Sequence, residues 1–286
     1  MTIKSSVDSC VKLKLLEGGY CTHKEKMVIR GGINEDVKFH SMFALIIHPT
    51  EGVILYDTGY TKRFYQETNK FPYNLYAKIT PVYVKDEDTA ISKLRSMNIQ
   101  AEDVKYIIIS HFHADHISAL KDFPKAKFIY FKNGYDKVKN LKGFFAVKEG
   151  FLSGLLPDDF IERSIMIDSE KDQYKIKNIE PFEQAFDYFG DGLIKFIPLP
   201  GHYRGHLGAL VQGENNQKYF LIADSCWLSK SFKENILPHP FANIIMDNSN
   251  KYEQTLNKIN TFYKNNPDTE IIPSHCNEIY NKYIGK

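Results

Sequence analysis

The chain has 286 residues, 43% of them hydrophobic, which allows a sizeable core and argues against a disordered polypeptide. Lys and Arg number 37 against 35 Asp and Glu, with the signs interspersed, so no concentrated basic face marks a nucleic-acid binder. The longest apolar runs, such as Phe43 to Ile47 and Tyr106 to Ile109, are strand-sized and too short to span a bilayer. Neither a nucleic acid nor a membrane is therefore an expected partner.

Met1 to Gly18 carries Lys4, Asp8, Lys12 and Lys14 among short apolar stretches, without the h-region or cleavage site of a signal peptide. Cys10, Cys21, Cys226 and Cys276 form no C-x-x-C pair and no disulfide framework, which points to a reducing, cytoplasmic location. Ser41 to His48 and Gly52 to Asp57 read as two strands around a Pro49 to Glu51 turn. Ala90, Ile91, Leu94 and Met97 mark one helix face, with acidic Asp86 to Asp88 at its start. Lys105 to Ser110 and Ala126 to Phe131 read as strands. Residues 134–190 are expected to form a cap inserted within a single domain spanning 1–286. Phe144, Phe145, Phe151, Leu152, Leu155 and Phe160 crowd there among Gly143, Gly150 and Gly154, as in a short helical insertion outside the main sheets. Strand patterns resume at Leu193 to Leu199, Leu207 to Gln212 and Tyr219 to Ala223. Tyr252, Leu256, Ile259 and Phe262 give a helix face, with Ser249 and Asn250 as capping candidates. Glu270 to Pro273 is a last strand. The alternation makes a layered α/β chain.

The segment Ser110-His111-Phe112-His113-Ala114-Asp115-His116 carries three histidines and an aspartate directly after an apolar strand. Imidazole nitrogen and carboxylate oxygen suit zinc and similar divalent ions. Alternation at the strand end points His111 and His113 to one side, while Asp115 and His116 lie where the chain turns into a helix. Further candidate ligands, His202, Asp224 and His275, each follow an apolar run, where α/β folds collect functional groups. His23, His40, His48 and His239 show no such spacing and read as ordinary histidines. Cys276 adjoins His275 and so is the cysteine nearest the expected metals.

The pattern His-x-His-x-Asp-His, followed by Gly201-His202, Asp224 and His275, resembles the metallo-β-lactamase superfamily. The likeness runs from the Asp57-Thr58-Gly59 turn to His275. It implies a four-layer αββα sandwich with the site along one edge. It further implies one metal on His111, His113 and His202, a second on Asp115, His116 and His275, and Asp224 bridging both. The two ions would be zinc, although iron and manganese accept the same ligands. Asp57 would accept a hydrogen bond from a ligand histidine, the other reading being a cap in a tight turn. His206 would stand behind the ligands.

Two ions sharing a water lower its pKa toward neutrality and supply a hydroxide nucleophile. Asp115 is then the candidate proton relay and Asp224 the second catalytic carboxylate. The Pro200-Gly201-His202-x-x-Gly205-His206 and Ala223-Asp224-Ser225 segments are most similar to N-acyl homoserine lactone lactonases. Those enzymes carry a tyrosine three residues after the bridging aspartate, where this chain has Trp227. The resemblance implies hydrolysis of a lactone with an apolar acyl chain. Phosphodiester or thioester hydrolysis, or a non-hydrolytic cyclisation or isomerisation, stand as alternatives. Phe64, Tyr73, Phe144, Phe151 and Trp227 are candidate substrate contacts, because ligand pockets are mainly apolar with few directing polar groups.

Overall fold

The structure, a computed structural model, describes residues 10–171 and 173–285. Its first sheet contains β1 (Lys12–Lys24), β2 (Asp36–His48), β3 (Gly52–Tyr56), β4 (Val82–Tyr83), β5 (Val104–Ile108), β6 (Lys127–Phe131) and β7 (Ser164–Ile167). They lie in the order β4-β1-β2-β3-β5-β6-β7. The second sheet contains β8 (Lys175–Ile176), β9 (Ala185–Phe186), β10 (Ile194–Pro198), β11 (Leu207–Gln212), β12 (Lys218–Ala223) and β13 (Thr269–Pro273), in the order β13-β12-β11-β10-β9-β8.

Strand alternation sends one set of side chains from each sheet into a shared interior. Leu15, Met42, Ile54, Ile108 and Ile129 from the first sheet meet Phe196, Leu207, Val211, Leu221 and Ile272 from the second. The opposite faces are apolar too, and each needs a helical layer to cover it. On the first sheet Leu55, Ile107 and Phe128 pack under Leu94, Ile117 and Phe151. On the second, Ile197, Phe220, Ile222 and Ile271 pack under the helix Ser249–Asn265 through Tyr252, Leu256, Ile259 and Phe262. These three apolar interfaces make the four αββα layers.

Most elements read from the sequence are present within a few residues. Three readings change. The sequence pattern assigns no element to the N-terminal segment, yet β1 is a 13-residue strand. Its lysines alternate with Leu13, Leu15 and Leu16 and then run past Gly18 and Gly19, and the register with β2 shifts between Glu17 and Tyr20, which breaks the period-two signal. The cap of Ser249–Asn265 is Asn248, whose side chain accepts from the Lys251 amide at 2.9 Å, not Ser249 or Asn250. Residues 134–190, expected to lie outside the sheets, are helical only in their first part. Beyond it they supply β7 to the first sheet, parallel to β6, and β8 and β9 to the second. Such short edge strands are paired by tertiary contact and carry little period-two pattern of their own.

β3 and β5 run parallel, and β10, antiparallel to β11, shares its direction with β12 and β13. The C-terminal ends of β3, β5, β10, β12 and β13 are followed by Asp57, His111, His202, Asp224 and His275. Cross-sheet bonds bring these ends together: the Leu207 amide donates to Ser110 O at 2.8 Å and the Met42 amide to Ser274 O at 3.1 Å.

Candidate metal centre

Two four-residue groups converge at this edge. One comprises His111, His113, His202 and Asp224; the other comprises Asp115, His116, Asp224 and His275; in each, one ligand atom per residue lies within 4.8 Å of all the others. Asp224 belongs to both. The structure thus brings together the seven residues read from the sequence as candidate ligands.

Each loop is held by bonds behind it. The short helix Ala114–Ile117 is fixed by Ser41 Oγ donating to Asp115 O (2.9 Å) and Thr58 Oγ1 donating to His116 O (3.0 Å). Gly201 brings His202 in with φ of 138°, and a Cβ there would be 2.3 Å from the Tyr252 backbone. The Asp247 amide donates to His202 O at 3.1 Å, and Asp247 is itself paired with Lys137, which also pairs with Glu149. Ala223 is left-handed at φ 42° and Asp57 at φ 60°, so two backbone strains flank the centre, where such strain is typically found.

Of the outward ring nitrogens, those of His111, His116 and His275 have partners that fix tautomers, whereas His202 Nδ1 is buried without one. His116 Nδ1 is 2.8 Å from Asp57 Oδ2, and both Asp57 oxygens also take Ser110, its amide at 2.8 Å and hydroxyl at 2.7 Å. His275 Nδ1 is 2.6 Å from the His40 carbonyl, and His111 Nδ1 is 3.0 Å from Ser110 Oγ. Inward, His113 Nδ1 lies 2.9 Å from His111 Nε2 and 3.2 Å from His202 Nε2. Three imidazole nitrogens converging in this way suit a shared cation. In the second group His116 Nε2 and Asp224 Oδ1, 3.4 Å apart, are buried with no hydrogen-bond partner. Buried polar atoms left without a partner are costly, and these two fit a metal ion.

Electrostatics divide the two groups. Burial holds His111 and His202 well below the ordinary imidazole range and pushes His113 down to about 4, leaving neutral donors. Burial also acts to lower His116, but the carboxylates of Asp115, Asp57 and Asp224 outweigh it and raise its pKa. Asp224 is held well below the carboxylate range: burial opposes this, and His275 and His116 overcome it.

The remaining candidates divide sharply. His206, pushed down to about 3 by burial, accepts from the Asp224 amide through Nε2 at 3.2 Å and so steadies the residue shared by the two groups from behind. Trp227 donates from Nε1 to Asp224 Oδ2 at 3.2 Å and packs edge-on against His202. Tyr73 is occupied as acceptor of the Gly143 amide at 3.0 Å. Phe144 is exposed and meets Phe71 edge-to-face. Phe64 and Phe151, expected at the substrate, are core residues at 0% and 1% exposure; an aromatic in a loop is often folded inward because burying its ring is favourable. Cys276 takes its contacts from Ser229 and joins neither ligand group. Sequence reasoning does not single out Ser110; its position directly before His111, at the end of a buried strand, is the signal that could have shown it.

The metallo-beta-lactamase superfamily profile matches residues 39–214, and the chain belongs to that superfamily. It is similar to the N-acyl homoserine lactonase AttM of Agrobacterium fabrum, 25% identical over 272 residues, 93% of each chain. It is 24% identical over 236 residues to the N-acyl homoserine lactonase of Bacillus cereus, 81% of each. Among solved structures, an N-acyl homoserine lactone hydrolase with N-hexanoyl-L-homoserine at its catalytic metal center shares the fold, with a TM-score of 0.72 at 18% identity over 96% of both chains. A single-residue mutant of AiiA from B. thuringiensis, with N-decanoyl-L-homoserine bound at the active site, gives 0.71 at 18% identity over 96% of both.

Proposed function

We propose that this protein is a dinuclear metal-dependent hydrolase of an ester-like bond, and that its substrate is a lactone bearing an apolar acyl chain. The observation that carries the reading is the pair of four-residue groups sharing Asp224, with buried inward atoms left without a hydrogen-bond partner. The ions we assign are zinc, on the nitrogen-rich donor set. When bound, they supply Lewis acidity and a water whose pKa is lowered toward neutrality. His111, His113 and His202 would hold one ion, Asp115, His116 and His275 the other, and Asp224 would serve both.

The chain's own residues do the rest. Asp57 keeps the His116 proton on Nδ1, so that the lone pair of Nε2 is available inward to a metal ion. Asp115, with Oδ2 at 3.1 Å from His116 Nε2 and 3.4 Å from His275 Nε2, is a carboxylate at the reacting edge and relays a proton to the leaving alcohol. Similarity along 93% of the chain to an N-acyl homoserine lactonase supports the lactone. The four free thiols suit a reducing cytoplasm.

The test is acid release by metal-loaded protein against acyl lactones, thioesters and phosphodiesters, with a metal-stripped control. Turnover of lactones that is lost on stripping supports the reading. Turnover confined to thioesters or phosphodiesters replaces the substrate, and no turnover by protein shown to hold two ions removes the hydrolase.

A further inference from the structure

We propose that two joined segments, one carrying Phe71 and Ile79 and the other Phe144 and Phe145, form a docking surface for an anionic lipid bilayer. These side chains are 69%, 69%, 57% and 72% exposed, which is unusual for so many large apolar groups in two adjoining segments. The segments are fastened together: Phe71 and Phe144 rings are 5.2 Å apart edge-to-face, and the Gly143 amide donates to Tyr73 Oη at 3.0 Å.

The charged residues within the two segments have one sign. Lys70, Lys78, Lys142 and Lys148 flank the apolar residues, all are exposed, and no ion pair is formed by any of them among the described residues. Between positions 69 and 80, and between 139 and 148, there is no Asp or Glu at all. Apolar insertion combined with unpaired lysines provides the two signals that reversible attachment to a membrane surface needs. A second copy of this chain fits less well, because a two-fold interface would set these lysines against the same lysines. No helix among the described residues is long and apolar enough to cross a membrane, so the contact is with the surface.

The inner side of the same face abuts the metal centre. The helix Gly143–Lys148 leads into Gly150, whose carbonyl accepts from the Ala114 amide at 3.2 Å. Gly150 is left-handed at φ 58°, and a Cβ on it would lie 2.8 Å from His113 Cδ2. A lipophilic substrate dissolved in the bilayer would thus meet the protein beside its ligands.

The experiment is flotation of the metal-loaded full chain with vesicles of phosphatidylcholine alone and with added phosphatidylglycerol, at low and high salt. We expect binding to the anionic vesicles that high salt releases, and at least tenfold weaker binding to neutral ones. F145S and K142E/K148E, checked for folding by circular dichroism, should each lose at least tenfold in affinity. Equal binding to both vesicle types, no binding to either, or unchanged binding by folded variants overturns the proposal. So does a dimer in sedimentation velocity that F145S dissociates, which would assign the patch to self-association. Should a variant fail to fold, the comparison of the two vesicle types with unaltered protein decides alone. No turnover enters the measurement, so its failure leaves the hydrolase reading untouched.

Discussion

The indole Nε1–H of Trp227 donates to Oδ2 of Asp224, the carboxylate common to both ligand groups, at 3.2 Å. Trp227, read from the sequence as a substrate contact, is thereby also placed to orient that carboxylate. Trp227→Phe keeps the aromatic packing against His202 and removes only the donor. Losing such an outer partner should weaken metal affinity about tenfold to a hundredfold. Competition with a chromophoric chelator measures it, and equal affinity in the variant would show that the bond positions nothing.

Asp57 serves His116 and Ser110 together. Asp57→Asn tests the carboxylate without disturbing the chain, since asparagine tolerates the left-handed backbone found there at φ 60°. Metal affinity is expected to fall about tenfold or more, with kcat following. If Asp57 were only a turn cap, the variant would bind metal normally.

Asp115→Asn and Asp224→Asn should each abolish measurable turnover of a lactone substrate. The two differ in metal content: the first keeps the group of His111, His113 and His202 intact, whereas the second weakens both groups. Elemental analysis after dialysis distinguishes them. Full activity in either variant is incompatible with the assigned roles.

Metal removal should lower the melting temperature. Asp57, Asp115 and Asp224 are buried beside facing imidazoles, and ions that bind only the folded chain stabilise it by mass action, about 2.7 kcal/mol at a free concentration of 100 times Kd. Calorimetry with and without chelator reads this directly. Identical transitions would mean that the centre holds no ion tightly.

Gly201→Ala should destabilise the fold by about 3 kcal/mol or more, because both φ and the Tyr252 backbone oppose a Cβ. Urea denaturation gives the value; a wild-type midpoint would mean that the loop bearing His202 relaxes freely.

The seven candidate ligands and the strands that precede them were legible because their chemistry is local. Three histidines and an aspartate within His111 to His116 have no packing explanation, and an apolar run ending in Gly201-His202 or Asp224 marks a strand end whatever the rest of the chain does. The helix Ser249–Asn265 was equally plain from its 3.6-residue spacing. Only the tertiary structure decided the others. β1 and β7 to β9 exist because neighbouring strands offer hydrogen-bond partners, and a strand's own sequence carries little record of who pairs with it. The same holds for the aromatics: nothing in the composition of a loop tells Phe64, sealed in the core, from Phe144, left in water, since the difference lies in which surface each meets. Trp227 shows the point most directly. The sequence supplied an indole three residues after an aspartate; the fold alone set its N–H on that aspartate.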